Sequence, residues 1–572
     1  MSRSSLKKKN PIRFLLVLQS IGLLLFQTSA YCTEKNEPPP LKHKVPTDAP
    51  FLLPPVPHHN QDQGNLATQE EMIIRNIKVL NGSVFPDSMI QEITTPYTNR
   101  AVSVDELFEL RDQLTRLYIK HGYVTSGLVM KDQDITDGQL VLEVVEGQLT
   151  KINISGNKAL NTDFLNDYIS YQLKSPLNIH ELESRLQLLR QREMIRSIKS
   201  ELRPELKTGE AALDLEIEEE SPYFAKISHH NHNSPNLGAE KTDIALGTRS
   251  LFGRDDKLTL SYGNSQGIND YSISYEIPLF PDDTSLTLFR SRTTSSVIAE
   301  PFAALDIISR SENYGMTLTH PLIKKPNQEL AASLGVQRRS SRSSLLGEPF
   351  DFTSGTTQGR SEVATIHLGQ EWIVRGTGHA LAIHSEFSKG VDCCGAILLP
   401  GSPNGRFLAW LGQTQWLHSL PDFWDSLVLI KGALRLTDSP MLTTEKFSLG
   451  GADTVRGYRE NYLGRDQGAL ASIEWRIPTT LSLPVPGIQE LSSYGGVTGA
   501  LFYDHGYAKD KAELASTTPK EISSVGMGLL WSLSKKSNAE LYLAHRLRDI
   551  PDLPNEGAQD HGIHFRMTMA TD

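Results

Sequence analysis

The stretch LGGADTVRGYRE, residues 449–460, sets an arginine among glycines and beside a tyrosine. It interrupts a region of alternating strands and is too irregular to be a strand itself. If this guanidinium lies on the surface, the stretch is an ordinary loop. If it lies inside the protein, it needs an acidic partner, because a buried unpaired charge costs several kcal/mol or more. The residues at issue are Val455, Arg456, Gly457 and Tyr458.

Two later segments offer such a partner. GALFYDHGY, residues 499–507, places Phe502, Asp504 and Gly506 on one face by strand alternation. GALASIEWRIP, residues 468–478, adds Glu474 as a second candidate. A two-pronged guanidinium–carboxylate pair is directional enough to lock a loop. On spacing alone, an inward-folded loop and a surface loop remain equally compatible with the sequence.

Other residues that could do chemistry are sparse. His229, His230 and His232 form the only metal-like cluster, just after the first barrel-like strand. Adjacent strand histidines point in opposite directions, so we expect an external loop without metal. For Cys393 and Cys394 the sequence leaves two possibilities open, a disulfide between the two neighbours or two unreactive loop thiols. Unreactive thiols are the favoured interpretation. No serine, cysteine or paired-carboxylate constellation has a convincing context, so we predict no enzyme, no metal and no cofactor.

The N-terminus has the pattern of a secretory signal. Basic residues precede an apolar run over 14–26, and Thr28-Ser29-Ala30 offers a cleavage site, which predicts a signal peptide over 1–30. Residues 31–69 are proline-rich and lack periodicity, as a linker would. The net charge of −10 carries no basic excess, so nucleic acid is not an expected partner.

Two consecutive α+β modules follow, predicted at 70–147 and 148–221. Each reads as strand–helix–strand–strand, which makes an internal repeat. In the first helix the leucines at 107, 110, 114 and 117 share one face, and in the second those at 182, 186 and 189 do.

From residue 222 to 572 the helical pattern stops and short alternating strands take over. Segments such as KLTLSYG and YSISYEIP alternate, and tight turns at LFGRDD and PLFPDD contrast with long polar connections at 291–310 and 337–362. This asymmetry favours a transmembrane β-barrel, and about 350 residues at roughly 20 per strand and loop give about 16 antiparallel strands. An array of soluble β-sandwiches would explain the strands but not the turn asymmetry.

The motifs taken together resemble a known superfamily. LGGADTVRGYRE, GALASIEW and LFYDHG are similar to the signature of polypeptide-transporting outer-membrane barrels, and residues 122–157 resemble the first POTRA module of its haemolysin-activator branch. The resemblance implies that the loop around 449–466 lies inside the barrel, with Arg456 meeting Asp504. Two POTRA domains before a barrel are the layout of two-partner secretion transporters, the TpsB or ShlB type.

This resemblance implies a monomeric pore in the outer membrane of a Gram-negative bacterium, with periplasmic POTRA domains. The pore would export a large adhesin- or haemolysin-like partner whose two-partner-secretion domain binds the POTRA domains. Outer-membrane lipid and the barrel-assembly machinery are the other expected partners. A barrel-assembly factor is the alternative, although its relatives generally carry three or more POTRA units. The proline-rich linker offers no clear counterpart of the family's N-terminal plug helix.

Overall fold

A computed structural model describes residues 71–133, 135, 137–398, 403–484, 494–512, 519–534, 536–548 and 557–571. The predicted signal peptide at 1–30 and linker at 31–69 lie outside the described residues. The chain divides into two compact units, one through Glu220 with residues 252–254, and one from Ser221 onward. Among the described residues no helix is both long and apolar enough to cross a membrane.

The first unit contains two small α/β modules. The elements of its first module are β1 (Met72–Ile74), β2 (Asn76–Leu80), α1 (Asp87–Thr94), β3 (Arg100–Val102), α2 (Val104–Lys120), β4 (Gly127–Val129) and β5 (Gln139–Val145). Their strands form a sheet in the order β2–β5–β4 and a separate β1–β3 pair. Strand β2 is parallel to β5, and β4 is antiparallel to it.

The second module repeats this architecture. Its elements are β6 (Gln148–Ser155), α3 (Thr162–Ser170), α4 (Ile179–Arg190), β7 (Ile195–Pro204) and β8 (Glu210–Glu219). The sheet order is β6–β8–β7, again with one parallel and one antiparallel pairing. Backbone hydrogen bonds join the two modules: Leu177 donates to Gly147 at 2.7 Å, and Ile179 donates to Gly122 at 2.8 Å.

The long helices of both modules form for reasons visible in the sequence. Ser103 caps α2, and its side chain and that of Glu106 exchange hydrogen bonds with each other's backbone N–H, a capping box. The apolar faces of both helices are buried against their sheets. Leu117 is the exception, since it is only partly buried and Tyr118 takes the buried position.

Each module contains one more helix than the sequence pattern predicts. The strand–helix–strand–strand reading omitted α1 and α3 because helices of 8 and 9 residues are too short to show a sustained period. Residues 72–82, MIIRNIKVLNG, alternate as one strand would, but they are divided because β1 and β2 join different sheets.

The second unit is a closed β-barrel. Its strands are β9 (Tyr223–His230), β10 (Lys241–Thr248), β11 (Lys257–Ser265), β12 (Ile268–Pro278), β13 (Ser285–Ser296), β14 (Ile308–Lys325), β15 (Gln328–Leu345), β16 (Glu348–Pro349), β17 (Arg360–Gly376), β18 (His379–Val391), β19 (Leu408–Leu420), β20 (Ser426–Thr437), β21 (Phe447–Leu449), β22 (Leu463–Arg465), β23 (Gln467–Pro484), β24 (Tyr494–Lys509), β25 (Glu521–Ser532), β26 (Asn538–Arg546) and β27 (Ile563–Ala570). Short 3₁₀ turns lie at Pro235–Leu237, Ala303–Leu305, Thr443–Glu445 and Ala558–His561.

Sixteen of these strands form the wall in the part of the chain that the structure describes, each antiparallel to its neighbours. β27 pairs with β9 to close the ring. Strand β16 adds only a two-residue pairing to β15, and β21 and β22 form a separate hairpin. The predicted barrel of about 16 antiparallel strands is therefore confirmed.

Except for the two-residue connection at 266–267, the connections at one end of the barrel are shorter than those at the other in the described residues. Residues 326–327 and 377–378 connect strands at the end where β9 begins, whereas 346–359 and 438–466 connect strands at the opposite end. The predicted loop bounds of 291–310 and 337–362 were wrong, because β13, β14, β15 and β17 extend well into them. These strand ends are rich in serine and arginine, so they carry no apolar alternation to reveal them.

The two faces of the wall differ in polarity. Outward positions in the middle of the strands are large and apolar, for example Leu288 and Met316, which are 41% and 48% exposed. The alternating inward positions are polar and buried, such as Ser291 and Asn313. An apolar outer face with a polar interior is the pattern of a barrel surrounded by lipid.

Candidate functional site: an arginine held inside the barrel

The segment between β20 and β23 turns back on itself. The β21–β22 hairpin carries a tip, residues 450–462, that is stabilised by its own hydrogen bonds: the Gly450 N–H donates to Thr454 Oγ1 at 2.9 Å, and the Ala452 N–H donates to Glu460 Oε1 at 2.7 Å. Gly450 and Gly451 have φ of 104° and 106°, a region that side chains rarely adopt. A Cβ on Gly451 would also collide with the carboxylate of Glu460.

Arg456, at this tip, binds Asp504 of β24 on the inner face of the wall. Its Nε donates to Asp504 Oδ2 and its Nη2 to Oδ1, both at 2.8 Å. The backbone N–H of Arg456 donates to the same carboxylate at 3.1 Å. Arg456 is 5% exposed and Asp504 is 0% exposed. Such a two-pronged, charge-assisted contact fixes both the position and the orientation of the loop.

A second carboxylate and a second arginine complete the site. Arg456 Nη1 donates to Glu474 Oε2, and Arg476 Nε donates to Glu474 Oε1 at 2.7 Å. Ser472 Oγ donates to Asp504 Oδ1 at 2.7 Å. Two guanidinium groups thus face two carboxylates, so the buried cluster is electrically balanced, as a low-dielectric site requires.

Aromatic rings cover the guanidinium of Arg456. Its Cζ lies 3.5 Å from the ring centre of Phe502 and 4.7 Å from that of Tyr542. The Tyr542 hydroxyl also donates to Glu474 Oε1 at 3.2 Å. Ring faces attract cations, and they exclude water that would otherwise weaken the ion pair.

The neighbouring loop residues pack into the wall. Val455 and Tyr458 are fully buried, and the Tyr458 hydroxyl donates to the carbonyls of Ser523 and Arg548 at 3.0 and 3.2 Å. A Cβ on Gly506 would lie 2.9 Å from the side chains of both Val455 and Leu449. The absence of a side chain at Gly506 therefore lets the loop approach the wall closely.

Gly457 reaches the last strand of the barrel. It has φ of 89°, and its N–H donates to His564 Nε2 at 2.9 Å. His564 was not among the predicted site residues, although its position in the alternation of the last strand places it on the inner face. Ser472 and Tyr542 were also missed. The sequence could have indicated Ser472, because it lies two residues before Glu474 on the same strand and therefore on the same face.

Beyond the tip, the loop is bonded to the segment that precedes β27. Arg459 Nη2 donates to Asp560 Oδ2 at 2.8 Å, and the Glu460 N–H donates to Gln559 Oε1 at 3.0 Å. Gln559 in turn donates to the carbonyl of Asn233, which follows β9, at 2.7 Å. The inward loop is therefore linked to both sides of the barrel closure, a connection that the motif spacing does not reveal.

Two of the three clustered histidines lie elsewhere than predicted, whereas His232 follows β9 as expected. His229 and His230 belong to β9 itself, not to an external loop, because the pairing of β9 with β10 and β27 extends through both residues. His229 faces Thr242 at 3.0 Å, while His230 contacts Asp243 at 2.8 Å. Within the described ranges no group of His, Cys, Asp and Glu is arranged to hold a metal ion. Cys393 and Cys394 are exposed free thiols, and Cys394 Sγ donates to Cys393 Sγ at 3.0 Å.

Comparison with known proteins supplies the family context for this geometry. The family model described as "Haemolysin secretion/activation protein ShlB/FhaC/HecB" matches residues 209–530. The model described as "POTRA domain, ShlB-type" matches residues 72–147. Together these matches cover most of the described chain, including the inward loop and both of its carboxylate partners.

Individual relatives are similar over most of their length. The outer membrane transporter CdiB of Dickeya dadantii (strain 3937) is 21% identical over 444 residues, 76% of each chain. The heme/hemopexin transporter protein HuxB of Haemophilus influenzae (strain 86-028NP) is 22% identical over 483 residues, 81% of this chain and 80% of that protein. The solved structure of CdiB from Escherichia coli has a TM-score of 0.68 at 18% identity and covers 99% of this chain and 100% of that chain, a likeness of fold.

Proposed function

This chain belongs to the haemolysin secretion/activation family of ShlB, FhaC and HecB, and we propose that its barrel exports one large adhesin- or haemolysin-like partner. It is an outer-membrane transporter of two-partner secretion, and its POTRA region is periplasmic. The observation that carries this conclusion is the family match across the barrel and its inward loop. The match favours export over insertion of other barrels.

The partner would be recognised by main-chain pairing at the edges of the two POTRA modules, which we place at 70–147 and 148–221. Within the described residues, β2 and β6 each leave one edge without a partner strand. An unfolded polypeptide can add to such an edge as a further strand. The edge strand β7 is less suited, because Arg196 and Lys199 form ion pairs across its solvent face and charged edges resist strand addition.

Arg456 would serve transport as the anchor of the inward loop, with Asp504 as its principal counter-ion and Glu474 as its second. Phe502, Gly506 and Tyr458 would shape the packing around that pair. The buried, balanced charges support a structural role. The partner chain would pass through the barrel in an extended form and fold outside, and that folding would pull it forward without ATP. The transporter would act as a monomer surrounded by outer-membrane lipid, after insertion by the barrel-assembly machinery.

Export is tested by co-expression with a large secreted protein whose gene neighbours that of this chain, if the genome encodes one. We expect the partner in the culture medium only when the transporter is present. If the partner stays in the periplasm, and removal of the transporter instead depletes other outer-membrane proteins, the assembly-factor alternative is correct.

Recognition at the POTRA edges is tested by photo-cross-linking in cells during export. A photoreactive residue replacing Lys78 on β2 or Lys151 on β6 should capture the partner. The same residue replacing the exposed Lys199 on β7 is the matched control and should not. Equal capture at all three positions would contradict edge pairing.

A further inference from the structure

The outer face of four neighbouring barrel strands carries an arginine cluster. On β13, β14, β15 and β17 the outward positions stand in register. The six arginines of this arginine patch are Arg290, Arg292, Arg310, Arg338, Arg342 and Arg360. Two outward carboxylates, Glu312 and Glu362, lie among them, so positive charge dominates the patch.

The cross-strand pairing orders these residues into rows. Leu288, Met316, Val336 and Ile366 form an apolar row, with each side chain between 41% and 48% exposed. The next row towards the long-loop end pairs Arg290 with Tyr314 and Tyr314 with Arg338. The patch therefore begins where the lipid-facing band ends, at the interface of hydrocarbon and headgroups.

The top row places three arginines side by side. Arg310 pairs with Arg342, and Arg342 pairs with Arg360, so like charges stand directly opposite each other on adjacent strands. Such pairs are destabilising when nothing lies between them. All three side chains are exposed, and within the described residues none of them forms an ion pair. The three lower arginines do have acidic partners. Arg290 and Arg292 each lie 3.8 Å from Glu312, and Arg338 Nη2 donates to Glu362 Oε2 at 2.6 Å.

A concavity adjoins the patch on the same outer face. It has a volume of about 540 Å³ and is lined by apolar residues of β10, β11 and β12, among them Leu246, Leu260 and Ile273, with Arg290 and Arg292 at its border. The apolar concavity is bordered by Arg290 and Arg292, which share Glu312, and the unpaired arginines of the top row lie further towards the long-loop end of the neighbouring strands. The groove suits acyl chains, and guanidinium groups bind phosphate in a two-pronged manner.

The patch belongs to the cell-surface side of the membrane. The POTRA region is periplasmic, and β9 follows it directly in the chain, so the end where β9 begins faces the periplasm. Arg310 lies near the opposite end of β14, away from the turn at 326–327. The headgroups at that height belong to the outer leaflet, which in a Gram-negative outer membrane is built of phosphorylated glycolipid.

We propose that the arginine patch and its adjoining groove form a binding site for a phosphorylated glycolipid of the outer leaflet. The phosphates lie among the arginines of the top row and remove their mutual repulsion, while acyl chains occupy the groove. This inference rests on the outer-membrane location and not on export, so its test needs no secreted partner.

The test uses the full-length transporter in detergent, mixed with purified diphosphorylated lipid A and measured by native mass spectrometry. Removing two guanidinium groups in R310Q/R342Q should lower lipid affinity about thirtyfold, read as the loss of occupancy at sub-saturating lipid, since each arginine near an anionic surface contributes roughly a fivefold factor. The matched control is K325Q/R375Q, which removes two charges at the periplasmic ends of the same sheet and should retain full occupancy.

The probes separate this site from general anion attraction. Dephosphorylated lipid A should bind the wild type weakly, and this comparison stands even if the arginine variant fails to fold. Folding of each variant is checked by the heat-dependent gel mobility of the barrel. Equal lipid A occupancy in R310Q/R342Q and wild type would overturn the proposal. Phosphatidylglycerol binding as tightly as lipid A would overturn the choice of glycolipid.

Discussion

Removing the guanidinium of Arg456 should release the inward loop without unfolding the barrel. In Arg456→Ala, Asp504 loses both prongs of the side-chain contact, and Glu474 loses one of its two arginine partners. Arg476 still neutralises Glu474, and Ser472 still donates to Asp504. One buried carboxylate is left without its countercharge. The wall strands keep their own pairing, so the barrel persists.

The size of the effect follows from that single uncompensated charge. Breaking a buried ion pair on one side costs about 3–5 kcal/mol. At about 1.4 kcal/mol per factor of ten, the seated loop loses roughly two to three and a half orders of magnitude in population relative to the released loop. Arg406 offers a matched control, because its 2.7 Å pair with Asp392 joins side chains that are 66% and 61% exposed. Exposed pairs contribute only about 0–1 kcal/mol.

Two measurements check this expectation. Amide hydrogen exchange over residues 450–462 should accelerate strongly in Arg456→Ala and stay unchanged in Arg406→Ala, and partner secretion should fall only in the former. The exchanged pair Arg456→Asp with Asp504→Arg should restore secretion in part, since the new carboxylate would face Glu474. If Arg456→Ala exchanged and secreted as the wild type does, the loop would not depend on its ion pair.

Further substitutions address other contacts of the chain. Gly506→Ala should press on the seated loop, costing about 1–3 kcal/mol and reducing secretion; full secretion would contradict the close packing. Tyr458→Phe removes a donor to two carbonyls and should cost about 1 kcal/mol, read from exchange over the loop. Ser103→Ala should destabilise the first module by about 1 kcal/mol without changing the loop, as limited proteolysis would show. Hydrogen bonds from the Ser103 backbone and from Arg100 lower the pKa of Glu106. The stability that this carboxylate adds to the cap is therefore present above its ordinary pKa of 4.5 and should be lost as the pH falls below that value and through the lowered pKa. A thermal unfolding temperature that does not fall in acid would contradict this expectation.

The sequence predicts most of the architecture because long periodic segments dominate it. Alternation over residues 222–572 indicates a barrel, and leucine spacing identifies α2 and α4. The short helices α1 and α3 were not predicted, because each has too few residues to show a helical period. The outer ends of β13, β14, β15 and β17 were predicted as loops for another reason. Both of their faces are polar, with serine alternating with arginine, so they show no alternation of apolar and polar residues.

The residues of the site likewise include some that the sequence predicts and some that it does not. Strand alternation brings Phe502, Asp504 and Gly506 to one face, and the structure places all three against the loop. It cannot reveal His564 or Asp560, because their contact with the loop depends on the closure of the barrel, which joins residues far apart in the chain. No local sequence pattern shows which distant residues meet across that closure.

Arginines on the two faces of this wall follow one electrostatic rule. Inside, Arg456 and Arg476 meet Asp504 and Glu474, because a site covered by aromatic rings must receive its countercharge from the protein itself. Outside, Arg310, Arg342 and Arg360 stand in a row with no acidic neighbour in that row. A row of like charges persists at low cost only where the surroundings supply anions, and the headgroups of a membrane do so. The unbalanced outer row therefore indicates a lipid environment as specifically as the balanced inner cluster indicates an anchored loop.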